Sequence, residues 1–156
     1  ERSRSPGRCG RTTTAVRRTH YRLAETISLP QPVRGSIPIM IGGGGERKTL
    51  RLVAQYGDVT HLFAREGVEG IKHKLDVLRQ HCADVGRDYD TIEKTLGGGG
   101  GIDPVHDTDA YLKEMEEYAK LGITLYTCTI VPGVDDPVGY TTELVERVLP
   151  RLKQIG

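Results

Sequence analysis

The sequence contains no tryptophan and only one phenylalanine, so a folded core has to be assembled from Ile, Leu, Val and Ala. Its three cysteines, Cys9, Cys82 and Cys128, are far apart, odd in number and without metal-type spacing. That pattern excludes a disulfide framework, gives no reason to expect a metal, and fits a reduced, cytoplasmic setting. No apolar run approaches the roughly 20 residues needed to span a bilayer, and no signal-peptide core is visible. Charge of one sign is also lacking: the formal net charge is +1, which supplies no general attraction for nucleic acid or a membrane surface. What is present is ordinary for a globular chain. The 156 residues are 37% hydrophobic with 20 glycines, enough for one domain with a single core.

Residues 1–19 differ from the rest. Arg2, Arg4, Arg8, Arg11, Arg17 and Arg18 alternate with Ser, Thr, Pro and Gly, with almost nothing apolar and no helical or strand period. This composition predicts disorder. A basic nucleic-acid arm is the functional alternative, but no aromatics accompany the charges.

From His20 the character changes. Tyr21-Arg22-Leu23 reads as a short strand, and Pro30-Gln31-Pro32 as an extended lead-in that excludes helix. Residues 37–42 predict a short buried strand, followed by Gly42-Gly43-Gly44-Gly45 and a helix over about 46–56 with Leu50, Val53 and Ala54 on one face. A second unit repeats the order. Residues 58–63 predict a strand, and the following helix carries Val68, Ile71, Leu75, Leu78, Cys82 and Val85 at spacings of 3, 4, 3, 4 and 3, stopped by Gly86. Cys82 lies on that stripe and reads as a buried small hydrophobe. Asp90 to Glu93 has capping-box spacing. A third strand is expected over Lys94 to Leu96, running into Gly97 to Gly101, which reads as a flexible link. Thr108 is expected to cap a third helix with Leu112, Met115 and Ala119 inward. Ile123 to Val131 predicts a central parallel strand, being apolar on both faces. Asp136-Pro137 then starts a last helix with Leu144, Val145, Val148 and Leu152 inward and a bend near Pro150.

Four strand–helix units imply a parallel sheet with right-handed crossovers. Composition alone does not choose between a small open α/β sheet and half of an eight-stranded (β/α) barrel.

The glycine stretch carries the chemistry. Consecutive glycines free the backbone for positive φ and let a ligand approach the N–H donors closely. A helix starting behind them aims its unpaired N–H groups and dipole at the same spot, which is the arrangement of an anion site. Arg47, Lys48 and Arg51 lie where cations oppose the dipole unless an anion is near. A phosphate cradle and a plain surface turn with a solvated basic face are both open on this stretch alone. Dinucleotide and P-loop fingerprints do not fit, because both fail at Arg47. Asp103, His106 and Asp107 cluster, but their spacing suits a loop and helix start better than a metal site.

The run Pro38-Ile39-Met40-Ile41-Gly42-Gly43-Gly44-Gly45-Glu46-Arg47-Lys48-Thr49-Leu50, with Tyr56-Gly57-Asp58 and later Cys82-Ala83-Asp84-Val85-Gly86-Arg87-Asp88-Tyr89, resembles the luciferase-like oxidoreductases. Within them it is most similar to the branch that uses the deazaflavin coenzyme F-420. The resemblance spans about residues 20–154 and implies a TIM-barrel type of fold, of which this is the C-terminal half. It further implies hydride transfer between F-420 and an organic substrate, with FMN-dependent monooxygenation as the alternative. The cofactor's phosphate-bearing tail is then expected on Ile41, Gly42, Gly43, Gly44 and Gly45. Active sites of such barrels form at the carboxyl ends of strands, which makes His61 and Phe63 pocket candidates. No residue stands out as a catalytic acid or base. The family's first four strands have no counterpart, so the open sheet edges imply either a missing N-terminal half or a homodimer; a catalytically silent half-barrel is the third reading.

Overall fold

The computed structural model describes residues 16–17, 22–23, 30, 32–98, 101–128 and 133–155. Expectations for residues 1–15, for Tyr21, for the middle of the second glycine run (99–100) and for the end of the last strand (129–131) lie outside the described residues. The chain divides into two units, Glu1–Ile39 and Met40–Gly156.

In the first unit, β1 (Val16–Arg17) pairs antiparallel with β2 (Arg22–Leu23). Regular structure therefore reaches into the segment whose composition predicts none. A turn follows, in which the Gly35 N–H donates to the Pro32 carbonyl at 2.9 Å.

The second unit is the α/β body. Its elements are β3 (Met40–Gly42), α1 (Thr49–Tyr56), β4 (Val59–Phe63), α2 (Gly67–Val85), β5 (Glu93–Gly97), α3 (Thr108–Lys120), β6 (Leu125–Thr127), α4 (Pro137–Glu143) and α5 (Leu149–Leu152). The four strands form one parallel sheet in chain order, β3-β4-β5-β6. Strand followed by helix, repeated in one direction, is the winding expected of a partial (β/α) barrel.

The helices define one face. Ile41, Leu62, Leu96 and Tyr126 pack with Leu50, Val53, Ile71, Leu75, Leu78, Cys82, Leu112, Met115 and Tyr118 in a single apolar cluster. Because strand side chains alternate, Gly42, His61, Phe63, Thr95, Gly97, Leu125 and Thr127 take the other face. No helix of this cluster covers that face, and Met40, Phe63 and Leu125 are exposed there.

The α2 stripe is as its period predicts. Ile71, Leu75, Leu78 and Cys82 are buried, while Val85 at the helix end is exposed. Gly86 (φ 68°) ends the helix. Its N–H and that of Arg87 return to the carbonyls of Ala83 and Cys82 at 3.2 and 2.9 Å, satisfying two otherwise unpaired acceptors. Burial raises the Cys82 thiol pKa, so it stays neutral and unreactive.

Several boundaries differ from the sequence reading. The strand expected over 37–42 is limited to Met40–Gly42 and is an exposed edge, because among the described residues only β4 pairs with it in the sheet. Helix α1 starts at Thr49 rather than 46, since residues 46–48 form turns. The cap on the turn after α2 is Asp88, which accepts from the Asp90 N–H at 2.9 Å, and Glu93 already belongs to β5. Asp107, not Thr108, caps α3, with Tyr111 and Tyr118 buried beside Leu112 and Met115 and Ala119 only partly covered. Among the described residues the last strand candidate is an edge rather than a central strand: β6 covers Leu125–Thr127, and Leu125 is exposed.

Asp136 caps α4 by accepting from Gly139 N–H at 2.9 Å, with Pro137 at the first helical position. Between α4 and α5 residues 144–148 form a π-turn, where the Leu149 N–H reaches back to the Leu144 carbonyl. Pro150 explains it. Proline has no N–H to give and its ring collides with the carbonyl four residues earlier, so the wider turn relieves the clash without breaking the helix. Tyr140 and Val148 are buried on the inward side, and Val145 is exposed.

Candidate functional site

At the carboxyl end of β3 the backbone leaves Gly42 and turns sharply. Gly43 has φ 117°, a conformation that L side chains rarely adopt, and its N–H donates to the His61 carbonyl at 2.9 Å. A Cβ on Gly44 would lie 3.1 Å from Glu66 Oε1, and one on Gly45 would come to 2.8 Å from Thr49 Oγ1. Backbone conformation at Gly43 and close packing at Gly44 and Gly45 thus favour glycine at three consecutive positions. Helix α1 begins four residues further on, with the Leu50 N–H bonded to the Gly45 carbonyl at 3.0 Å. Lys48, its N-cap, makes no side-chain capping bond, and the first turn holds no acidic residue. The helix therefore directs an uncapped, electropositive terminus toward the glycine loop. Arg47, Lys48 and Arg51 are exposed around it.

Behind the loop lies an ion cluster that anchors it to α2. Lys74 Nζ is 2.6 Å from Glu46 Oε1 and 3.7 Å from Glu66 Oε2, and His73 Nε2 is 3.3 Å from Glu46 Oε1. His81 Nε2 donates to the Glu46 carbonyl at 2.7 Å, since a carbonyl only accepts. The hydrogen bond from Lys74 lowers the Glu46 pKa, and the same bond raises that of Lys74. Both are held charged, so the acid at the loop's end is neutralised by the lysine beneath it.

The open face carries the second group. His61 Nδ1 is 2.9 Å from Thr95 Oγ1, and that hydroxyl donates to the Thr60 carbonyl at 2.9 Å. The His61 ring meets Phe63 edge-on with centroids 6.1 Å apart, and the Arg65 guanidinium lies 5.1 Å over the Phe63 ring. Gly97, directly beside Phe63 in the sheet, leaves the space the imidazole occupies: a Cβ there would overlap His61 Nε2 and sit 3.0 Å from Thr127 Oγ1.

Of the residues expected at the site, Gly42, Gly43, Gly44 and Gly45 form the loop, and His61 and Phe63 come together on the uncovered face. The loop and His61 are linked through the Gly43–His61 backbone bond. The Ile41 side chain packs against the helix-side core, so it is the Ile41 backbone that leads into the loop. Asp103, His106 and Asp107 do not join this site. Asp103 Oδ1 accepts the Val105 and His106 N–H groups at 2.9 and 3.0 Å and the Tyr140 hydroxyl at 3.0 Å, while its Oδ2 pairs with His106 Nδ1 at 2.9 Å. That carboxylate organises the turn into α3 and ties it to α4. A polar cavity of about 490 Å³ beside it, lined in part by His106, Asp109, Arg147 and Arg151, lies among the helices away from the glycine loop.

Five contributors were not apparent from the sequence. Lys74 and His81 are seven residues apart on α2 and so share a face, but only packing shows that both reach Glu46. Glu66 follows β4 in a 3-10 turn, with no motif to mark it. Gly97 was concealed as the first residue of a glycine run that reads as a linker, and Thr95 looks like any strand threonine.

No curated protein matches the chain in sequence. The model of the luciferase-like monooxygenase family matches residues 9–121. The match takes in residues 9–19, which composition sets apart, and ends near the close of α3. With the family model covering most of the chain, and a parallel sheet with helices packed on it in agreement, the chain belongs to the luciferase-like monooxygenase family.

Proposed function

We propose that this chain is the phosphate-binding part of an oxidoreductase that uses coenzyme F-420. Membership of the luciferase-like family supports oxidoreductase-type function. The observation that carries the finer reading is the glycine loop, with Gly43 at φ 117° in front of an α1 terminus that has no side-chain cap. The residues fit an anionic tail. The loop has no side chain to obstruct approach, the helix end is positive, and Glu46, the nearest acid in sequence, is neutralised by Lys74. Bound there, the deazaflavin would supply hydride transfer, while the chain's own residues orient the tail and wall one side of the site. Loop backbone from Ile41 to Gly45 holds the phosphate end. His61 and Phe63 face the remainder of the ligand from the uncovered sheet.

The test is a fluorescence titration of the purified chain with F-420, run beside FMN. Saturable binding of F-420 alone is expected. Equal binding of both cofactors favours the FMN-dependent alternative, and binding of neither refutes the reading. Replacing Gly43 and Gly44 together with valine should abolish binding of phosphate-bearing F-420 and spare a phosphate-free deazaflavin. Equal loss of both would refute the cradle.

A second feature supports self-association. Met40 and Leu125 are exposed on strands at opposite edges of the sheet, and Phe63 is exposed between them. A second copy set edge to edge would continue the parallel order to eight strands. Size-exclusion chromatography with light scattering should show a dimer; a monodisperse monomer with cooperative unfolding would overturn this.

A further inference from the structure

The phosphate cradle does not account for the histidine fixed on the open face. Thr95 is fully buried, and its hydroxyl donates to the Thr60 carbonyl at 2.9 Å. A hydroxyl has a single hydrogen. Toward His61 Nδ1, also 2.9 Å away, Thr95 Oγ1 can therefore only accept. The proton of the neutral ring is thereby fixed on Nδ1, and Nε2 presents a lone pair. Among the described residues no hydrogen-bond partner meets Nε2. The ring is held there by the edge-on contact with Phe63 and by the absence of a side chain on Gly97.

From this geometry we infer that His61 is the site's fixed hydrogen-bond acceptor, receiving an O–H or N–H of the ligand at Nε2. The same residue serves the site twice. Its carbonyl holds the Gly43 N–H at 2.9 Å and so fixes the loop where the anionic tail would rest. Its side chain receives a donor further along the same molecule. The ligand class is an organic anion bearing a hydroxyl or ring N–H beyond its phosphate. A plain inorganic anion fills the loop without engaging His61. The identity of the ligand rests on the F-420 reading, whereas the proton position on the ring does not.

Two measurements test this. Long-range proton–nitrogen NMR on histidine-labelled chain should show His61 with a protonated Nδ1 and an unprotonated Nε2, and Thr95→Val should remove that bias. A protonated Nε2 in the neutral wild-type ring overturns the inference whether or not F-420 binds. The second measurement is F-420 affinity. His61→Gln, which retains an acceptor, should bind within a few-fold of wild type, and His61→Leu should lose about tenfold, the scale of one hydrogen bond. Equal affinity of wild type and His61→Leu refutes the acceptor role while leaving the cradle intact. Loss of binding in the Gly43/Gly44 variant alongside an unchanged His61 spectrum separates the two sites. If wild type binds no F-420, the functional reading fails and the spectrum alone decides the inference.

Discussion

Gly97→Ala is a sharp test of the packing around His61. The added methyl would overlap Nε2, lie 2.6 Å from Cε1 and 3.0 Å from Thr127 Oγ1, and Gly97 itself is buried within β5. The backbone cannot yield easily, because β5 is hydrogen-bonded on both sides to β4 and β6. The imidazole must move instead, and with it goes the Nδ1–Thr95 hydrogen bond, worth ~0.5–1.5 kcal/mol. Overpacking adds ~1–3 kcal/mol. Together with the slight gain from replacing a strand glycine, the expected cost is about 2 kcal/mol, a fall in Tm of roughly 4–8 °C for a domain of this size. The assay is urea unfolding of a double-mutant cycle with His61→Ala. With the ring gone, the methyl keeps its 3.0 Å approach to the Thr127 hydroxyl, which can shift, and Gly97→Ala should become close to neutral. An equal cost in both backgrounds would refute the reasoning, since the penalty would then lie in the backbone and not in the histidine.

Lys74→Met should loosen the glycine loop, because Glu46 loses the partner that holds its carboxylate ionised; faster amide exchange at residues 43–46 with α3 unchanged is the expected signature, and uniform exchange would refute it. The Glu46 pKa is lowered in the folded state, so its contribution to stability is present above the unfolded carboxylate value of 4.5, is lost as pH falls through the folded value, and should shrink in the Lys74 variant, where His73 remains beside the carboxylate. Asp103 loses some ionisation to burial, but hydrogen bonds from the His106 and Val105 amides, the His106 ring and the Tyr140 hydroxyl outweigh it and hold the pKa at about 2 against an ordinary 3.8. The stability it confers is therefore complete above pH 3.8 and lost on acidifying toward pH 2, ~1–2 kcal/mol after allowance for solvent screening. Asp103→Asn should flatten that acid limb in a denaturant midpoint series, and an unchanged limb would count against it. Thr60 is fully buried with no partner for its hydroxyl among the described residues, so Thr60→Val should raise stability by ~1 kcal/mol in thermal unfolding; a loss would reveal a hidden partner.

Periodicity was enough to identify the framework. The α2 stripe, the Gly86 stop, the Asp136–Pro137 start and the order of strands and helices all follow from spacing, because each is a local property of the chain. Edges were not legible. Met40–Gly42 and Leu125–Thr127 look as apolar as central strands, and only the sheet order shows that each has a single strand neighbour among the described residues. The caps on Asp88 and Asp107 were displaced by one or two residues because several Asp and Thr side chains compete for each helix start. At the site, the glycine loop was readable because its requirement is for backbone freedom. The lysine beneath it and the glycine facing His61 were not, since their roles depend on partners 28 and 36 positions away.

The widened turn at 144–148 has a bearing on how this chain tolerates insertion and deletion. Tyr140, Leu144, Val148 and Leu152 recur every four residues, a step that drifts off one face of an ordinary α-helix by about 40° each time. A π-turn takes up that drift, so Val148 stays buried while Pro150 continues the rod. The segment thus behaves as a phase corrector. Removing one residue between Leu144 and Val148 would change the spacing of these four residues from 4, 4 and 4 to 4, 3 and 4, which regular α-helical winding keeps on one face, so Val148 and Leu152 would stay turned to the body. In this stretch the chain can lose one residue between Leu144 and Val148 and still present the same apolar face.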